Sequence, residues 1–222
     1  MKMLKLQPLA LVARTLRPGD QAVYRAGLMA IPQPDPGLLR RAQRHDQDAF
    51  RQIVATYQAP LYNYVLRLVA GDAALAEDLC QEILMRVYNG LPGFNVECRF
   101  TTWMFQIAKN RVFDELRARQ RRPQTPIDLD RIPHAADGHD QGERVEQADA
   151  VFRAIGHLNP DLRAALLLRD VVGLSYCEIA EALEITLATT KWRIFKAREL
   201  TAERLVAEGV MTSPQREIVA TD

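Results

Sequence analysis

The chain has 222 residues, of which 48% are hydrophobic and 7% aromatic, and its formal net charge is +1. That length suits one large domain or two small ones, and that apolar content excludes a chain that is disordered throughout. A net charge so close to zero neither indicates nor excludes nucleic acid as a partner until the distribution of charge is known. Leu, Ala, Arg and Glu dominate and alternating β-branched stretches are few, which predicts an all-α fold.

The cysteines, histidines and apolar runs narrow the function classes further. Cys80, Cys98 and Cys177 are isolated and odd in number, which indicates free thiols in a reducing cytosol. The sequence has no phosphate loop, no paired carboxylates beside a base and no ligand cluster, so we expect neither an enzyme nor a bound metal or cofactor. No apolar run is long enough to span a bilayer, and Pro8 interrupts the short one near the start. We therefore expect no membrane insertion and a cytoplasmic location.

Residues 1–34 are predicted to form a flexible, basic N-terminal extension. Its last part, residues 31–36, carries three prolines and predicts a stiff, extended bridge. Two interpretations remain open, a poorly ordered tail and a basic arm that contacts DNA or polymerase.

The first folded domain is predicted to span residues 35–122 and to begin with two helices. Asp35 followed by Pro36 is a favoured helix start, and Asp46 is predicted to cap the second helix. Pro60 predicts a break or kink in that helix, and Gly71 predicts its end.

A third helix is predicted from Asp72 to about Asn89. Its polar face carries Glu77, Asp78, Gln81, Glu82 and Arg86. Taken alone, this pattern indicates a solvated, mostly acidic face.

Residues 94–122 are the most informative stretch, because a short loop leads into a long helix whose positive charge grows toward its end. Thr101 or Thr102 is predicted to cap this helix. Its apolar residues recur at three- and four-residue steps, and the other face is basic. One interpretation is a solvated basic face. The other is a nucleic-acid helix whose cations neutralise phosphates while Asn110 bonds a base edge and Phe94 stacks on an unpaired base.

An acidic, proline-interrupted segment at residues 123–143 predicts a flexible linker. A second small helical domain is predicted over residues 144–208, followed by a flexible tail at residues 209–222. Within this domain, Ser175 and Glu178 form a capping-box pattern. A turn at residues 184–188 then leads to a basic helix from Thr189 to about Glu208. Helix, tight turn and basic helix together predict a helix-turn-helix motif.

Three stretches resemble one family. They are F-x-x-x-x-R-F-T-T-W-x-x-x-I-A-x-N-x-x-x-D-x-L-R-x-R-x-R-R from Phe94, A-E-D-L-C-Q-E-I-L-M-R from Ala76, and L-N-P-D-L-R-A-A-L-L-L-R-D-V-V-G-L-S-Y-x-E-I-A-E-A-L-x-I from Leu158. The chain resembles the extracytoplasmic-function (ECF) sigma factors, small bacterial subunits of the sigma-70 family. The resemblance covers about residues 35–205. It implies a non-catalytic protein that binds core RNA polymerase and promoter DNA, opens the promoter for initiation, and is restrained by an anti-sigma factor.

The resemblance also implies roles for individual residues. Residues implied at the minus-ten element are Phe94, Lys109, Asn110, Arg117, Arg119, Arg121 and Arg122. Residues implied at the minus-thirty-five element are Thr189, Lys191, Trp192, Phe195, Lys196 and Arg198. Residues implied to contact the polymerase are Asp78, Gln81, Glu82 and Arg86.

The helix-turn-helix turn departs from the family pattern G-I-P-x-G-T-V-K-S-R. Glu184 stands where the pattern has a helix-ending glycine, and Trp192 replaces a serine on the DNA side. We therefore expect the fold to be kept and the upstream sequence preference to differ. A dimeric helix-turn-helix regulator is the alternative function, but it leaves residues 94–122 and the acidic linker without a role.

Overall fold

The computed structural model describes residues 31–121 and 142–210, and these residues form helices without any strand. The helices are α1 (Pro36–Gln43), α2 (Gln47–Leu68), α3 (Ala73–Gly90), α4 (Phe100–Arg121), α5 (Gly142–Gly156), α6 (Pro160–Asp170), α7 (Tyr176–Leu183) and α8 (Leu187–Ala207), with a 3-10 turn at Leu91–Gly93. We call α1–α4 the N-terminal half and α5–α8 the C-terminal half. The all-α prediction is confirmed. None of these described helices combines the length and hydropathy that crossing a lipid bilayer requires.

Most predicted helix starts are confirmed because the capping side chains act locally. The carboxylates of Asp35, Asp46 and Asp72 each accept hydrogen bonds from backbone N–H groups in the first turn that follows. Ser175 and Glu178 form both hydrogen bonds of a capping box at the start of α7. Each such cap contributes about 1 kcal/mol, because it satisfies amides that have no partner inside the helix.

Three local predictions need correction. Of the break or kink predicted at Pro60, the break is absent, because α2 runs continuously from Gln47 to Leu68. Thr101 and Thr102 do not cap α4, since both lie inside it and are buried. The last helix begins at Leu187 rather than Thr189, because the hydroxyl of Thr186 accepts from the Thr189 amide and caps it.

The core of the N-terminal half is organised around α2, which contacts α1, α3 and α4. Tyr57, Leu61 and Tyr64 on α2 are fully buried, and the Tyr64 ring meets that of Phe105 on α4 edge-on at 5.3 Å between centroids. Burial raises the pKa of both tyrosines, so their hydroxyls stay neutral. This packing fixes the orientation of α4, the helix with the candidate DNA-binding residues.

The stretch before α1 packs on this core, although it was predicted to belong to a flexible extension. Ile31 is buried, and the Tyr57 hydroxyl donates a hydrogen bond to the carbonyl of Pro32. The side-chain amide of Gln33 donates to the Thr101 hydroxyl at 2.6 Å, next to the start of α4. The packed part of the chain therefore begins before Asp35, while residues 1–30 lie outside the described ranges.

The C-terminal half packs α8 against α5, α6 and α7. Thr190, Ile194, Ala197 and Thr201 form the buried face of α8, as the helical period predicts. α7 ends at Leu183, and the next residue, Glu184, has the left-handed backbone conformation (φ 57°) expected from its place in the turn. These elements form the predicted helix-turn-helix.

The two halves contact each other directly. α4 packs against α7, and α2 packs against α5 and α6. Buried Arg163 on α6 donates hydrogen bonds to the carbonyls of Leu68, Gly156 and Leu158, so one side chain joins the ends of α2 and α5. Burial lowers the pKa of its guanidinium to about 10, a value at which it remains charged at neutral pH.

Candidate nucleic-acid interface

The loop before α4 is held in place by an aromatic cluster. The ring of Phe94 lies 4.7 Å from that of Trp103 and 5.9 Å from that of Phe100, between centroids. The side-chain amide of Gln43 donates to the Phe94 carbonyl at 2.6 Å and to the Leu91 carbonyl at 3.1 Å. Only 6% of Phe94 is exposed. In this structure the ring is therefore not available to stack on a base, and Phe94 shapes the loop from inside.

The exposed tip of this loop is residues 95–99. The side chain of Asn95 accepts a hydrogen bond from the Glu97 amide at 3.0 Å, which tightens the tip. Arg99 forms an ion pair with Glu178 of α7, with 2.7 Å between Nε and Oε1. The tip therefore lies beside the C-terminal half.

Two neighbouring residues of α4 that were predicted to bind DNA are placed very differently. Asn110 is exposed and its amide is available to a ligand. Lys109 is 8% exposed, and its ammonium lies 3.3 Å from a carboxylate oxygen of Glu184 in the helix-turn-helix turn. In this arrangement Lys109 does not face outward, because the C-terminal half covers its side chain.

The arginines further along α4 divide into an anchored set and an exposed set. Arg111 bonds Glu82 on α3 at 2.5 Å and Glu115 at 3.1 Å, and Arg119 bonds Glu115 at 3.3 Å and Asp72 at 3.1 Å. These contacts fasten α4 to α3. Arg117 and Arg121 are exposed, with Arg117 3.4 Å from Asp114. Arg122 lies outside the described residues.

The network around Arg111 perturbs two carboxylates. Its hydrogen bond lowers the pKa of Glu82. Burial works to raise the pKa of Glu115, but hydrogen bonds from Arg111 and Arg119 outweigh it, so that pKa is lowered as well. Both carboxylates are therefore ionised at neutral pH, and the network holds α3 and α4 together by charge-assisted hydrogen bonds.

The polar face of α3 forms a separate surface. Asp78, Gln81 and Arg86 are exposed there, and Glu82 is exposed as well as bonded to Arg111. Met85 lies among them with 59% of its side chain exposed. Met85 was not predicted as part of this face, although its position one turn after Gln81 indicates that it lies there. An apolar side chain ringed by polar ones is typical of a protein-binding surface.

The outward face of α8 carries the other predicted DNA-binding residues. Trp192 and Phe195 are 59% and 62% exposed. Lys191 is exposed beside them, and Lys196 lies 2.6 Å from Glu199. Thr189 is half-buried and bonded to Thr186 at the helix start.

Arg198 is placed differently from its prediction. Its guanidinium bonds both carboxylate oxygens of Asp170 on α6, at 2.6 and 3.2 Å. Burial raises the pKa of Asp170, and Arg198 offsets part of that rise. Arg198 therefore fastens α8 to α6 and does not lie on the outward face.

Comparison with known proteins gives the family. Two family models match, "Sigma-70 region 2" over residues 53–122 and "Sigma-70, region 4" over residues 148–200. The chain is 36% identical over 181 residues to the RNA polymerase sigma-H factor of Pseudomonas aeruginosa, covering 77% of this chain and 93% of that relative. It is 35% identical over 179 residues to the ECF RNA polymerase sigma-E factor of Escherichia coli, covering 74% of this chain and 91% of that relative.

Two solved structures share the fold. One is CnrH in complex with the cytosolic domain of CnrY, with a TM-score of 0.59, 24% identity, and coverage of 78% of this chain and 98% of that chain. The other is the sigma factor RpoE in complex with the anti-sigma factor NepR from Bartonella quintana, with a TM-score of 0.57, 24% identity, and coverage of 70% and 96%. The chain belongs to the sigma-70 family and is an ECF sigma factor, a subunit that directs RNA polymerase to promoters to start transcription.

Proposed function

We propose that the two halves of this sigma factor divide promoter recognition between them. Residues 35–122 bind the polymerase and the minus-ten element, and residues 144–208 bind the minus-thirty-five element. Residues 123–143 are the linker between these two units. The observation that carries this proposal is the match of both sigma-70 regions in one chain, one to each half. Residues 1–34 and 209–222 flank these units.

In the N-terminal half, strand separation is assigned to the exposed side of α4 and the loop tip before it. The exposed amide of Asn110 can bond the edge of an unpaired base, and exposed Arg117 and Arg121 can neutralise phosphates. Arg119 and Arg122 extend this basic track, and Phe94 supports the loop. Lys109 reaches DNA only after its contact with Glu184 is released.

In the C-terminal half, α8 enters the major groove of the upstream element. Lys191, Trp192, Phe195 and Lys196 face outward and contact bases or phosphates. Thr189, at the start of the helix, is the proposed ligand of a phosphate. Arg198 supports this face by holding α8 on α6.

The polymerase contact is assigned to α3. The exposed polar face there consists of Asp78, Gln81, Glu82 and Arg86, and exposed Met85 lies among them. Buried apolar anchors with a polar rim account for most of the affinity of typical interfaces.

An anti-sigma factor is proposed to restrain the protein by stabilising contact between its halves. The titles of the two similar structures describe complexes with CnrY and with the anti-sigma factor NepR, which supports the same kind of partner here. The protein acts in the cytoplasm, where the polymerase is, and has no catalytic chemistry of its own.

In vitro transcription with purified core polymerase tests the proposal. The full chain is expected to start transcription at a cognate promoter, whereas a dimeric regulator would bind duplex DNA without starting transcripts. Asn110→Ala is expected to block opening, measured with permanganate footprints of unpaired thymines, while leaving polymerase binding intact. Gln120→Ala, a change at another exposed polar position on α4, is the matched control. Equal loss of opening and polymerase binding in Asn110→Ala would show that Asn110 is structural.

A further inference from the structure

The outward face of α8 leaves two large aromatic rings in solvent. Phe195 is the most exposed large hydrophobic side chain in the described residues, and Trp192 is nearly as exposed. Each ring offers a large apolar area, whose burial on binding is favourable. No structural role explains them, because the buried face of α8 is the opposite one, with Ile194 and Ala197.

The spacing of the two rings matches the spacing of bases. Trp192 and Phe195 are three residues apart, which is about 4.5 Å along a helix axis at about 1.5 Å per residue. Successive base pairs of a duplex are about 3.4 Å apart, so a helix lying in the major groove brings the rings to positions one or two base pairs apart. The apolar group on a base edge in that groove is the C5-methyl of thymine.

We propose that Trp192 and Phe195 each contact the C5-methyl group of a thymine, at positions one or two base pairs apart in the upstream element. Trp192 is then the residue that makes the sequence preference of this protein differ from that expected of the family pattern, which has a serine there. This inference rests on the proposed placement of α8 in the major groove.

The charged neighbours of the rings favour DNA over a protein partner. Lys191 precedes Trp192 and Lys196 follows Phe195, so a cation stands beside each ring. Lysine is depleted from the apolar centre of protein interfaces, whereas phosphates line both edges of the major groove. Lys196 is held by Glu199 at 2.6 Å, which leaves exposed Lys191 as the more available phosphate ligand.

The test begins with promoters selected from a library with a random upstream element, using the full chain and core polymerase. Each thymine of the selected element is then replaced by deoxyuridine, which lacks only the methyl group. With the wild-type protein, replacement at two positions is expected to weaken promoter binding about fourfold each, the effect of burying one methyl group. Deoxyuridine at thymines outside the element is the control.

Variants then assign each thymine to a ring. Trp192→Ser is expected to bring the thymine-to-uracil affinity ratio at one position to about one and to leave the ratio at the other unchanged. Phe195→Ala is expected to show the reverse, and Trp192→Phe to keep the discrimination of the wild type. Both rings are exposed, so circular dichroism melting curves are expected to stay unchanged.

Two results would overturn the inference while leaving the proposed function intact. One is promoter binding that is unchanged by deoxyuridine at every position of the element. The other is Trp192→Ser binding all templates as the wild type does, which would show that Trp192 contacts no thymine methyl group. Absence of transcription from every template with core polymerase would instead refute the proposed function.

Discussion

The buried guanidinium of Arg163 makes a specific prediction about how the two halves are joined. It donates to the carbonyls of Leu68, Gly156 and Leu158, of which the first two belong to the last residues of α2 and α5. Carbonyls at a helix end have no partner inside the helix, and a positive charge there is favourable. Arg163→Met keeps an unbranched apolar stem, shorter than that of arginine, and removes all three hydrogen bonds.

The magnitude follows from the groups that lose their partners. A buried acceptor left without a partner costs about 1–3 kcal/mol, so three acceptors set an upper range of several kcal/mol. The variant also removes a guanidinium that is itself costly to bury, as its lowered pKa shows, and this offsets part of the loss. We expect a net destabilisation of about 2–4 kcal/mol.

Urea unfolding followed by circular dichroism measures this change, and small-angle scattering of the folded protein reports whether the halves separate. Arg153→Met, at an exposed position on α5, is the matched control and is expected to change stability by less than about 0.5 kcal/mol. Arg163→Lys is expected to fall between wild type and Arg163→Met, because one ammonium cannot reach all three carbonyls in the fork geometry of arginine. If Arg163→Met were as stable as the control and as compact as the wild type, Arg163 would not be what joins the halves.

Two further predictions concern α3. Met85→Ala is expected to weaken binding to core polymerase about tenfold without changing the melting temperature, measured by competition against labelled wild type; unchanged affinity would remove Met85 from the interface. Arg111→Ala is expected to raise the pKa of Glu82 toward its ordinary value, measured by NMR titration. A lowered carboxyl pKa stabilises the fold above the unfolded-state pKa and loses that effect as pH falls through the folded-state value. The difference in free energy of unfolding between Arg111→Ala and the wild type is therefore expected to shrink below about pH 4. A difference that stays constant with pH would contradict this account.

The helices and their caps could be predicted from the sequence because they depend on residues that are close by in the sequence. Asp46 bonds amides two and three residues away, and the Ser175–Glu178 capping box closes within four residues. The left-handed conformation at Glu184 could also be anticipated, since the position ends α7. In each case the physical cause lies within one turn of the residue concerned.

The placement of individual site residues could not be predicted in the same way, because it depends on partners far away in sequence. Lys109 and Asn110 are adjacent and both polar, yet only Lys109 meets a carboxylate from the C-terminal half. Arg198 looks like any other cation of a basic helix until α6 brings Asp170 against it. A helical period indicates which face a residue occupies, but it does not identify what packs on that face.

The contact between Lys109 and Glu184 links the unusual turn to the predicted DNA-binding helix. A non-glycine residue in the left-handed conformation costs about 1–2 kcal/mol. Glu184 is 61% exposed, so its ion pair with Lys109 returns no more than about 1 kcal/mol. Stability therefore does not explain why a glutamate occupies this position. The glutamate matters for Lys109. A glycine at position 184 has no carboxylate, so Lys109 would lose the ion pair with Glu184 and lie beside exposed Asn110 without it. Glu184 therefore holds Lys109 of α4 in an ion pair for as long as the two halves remain in contact.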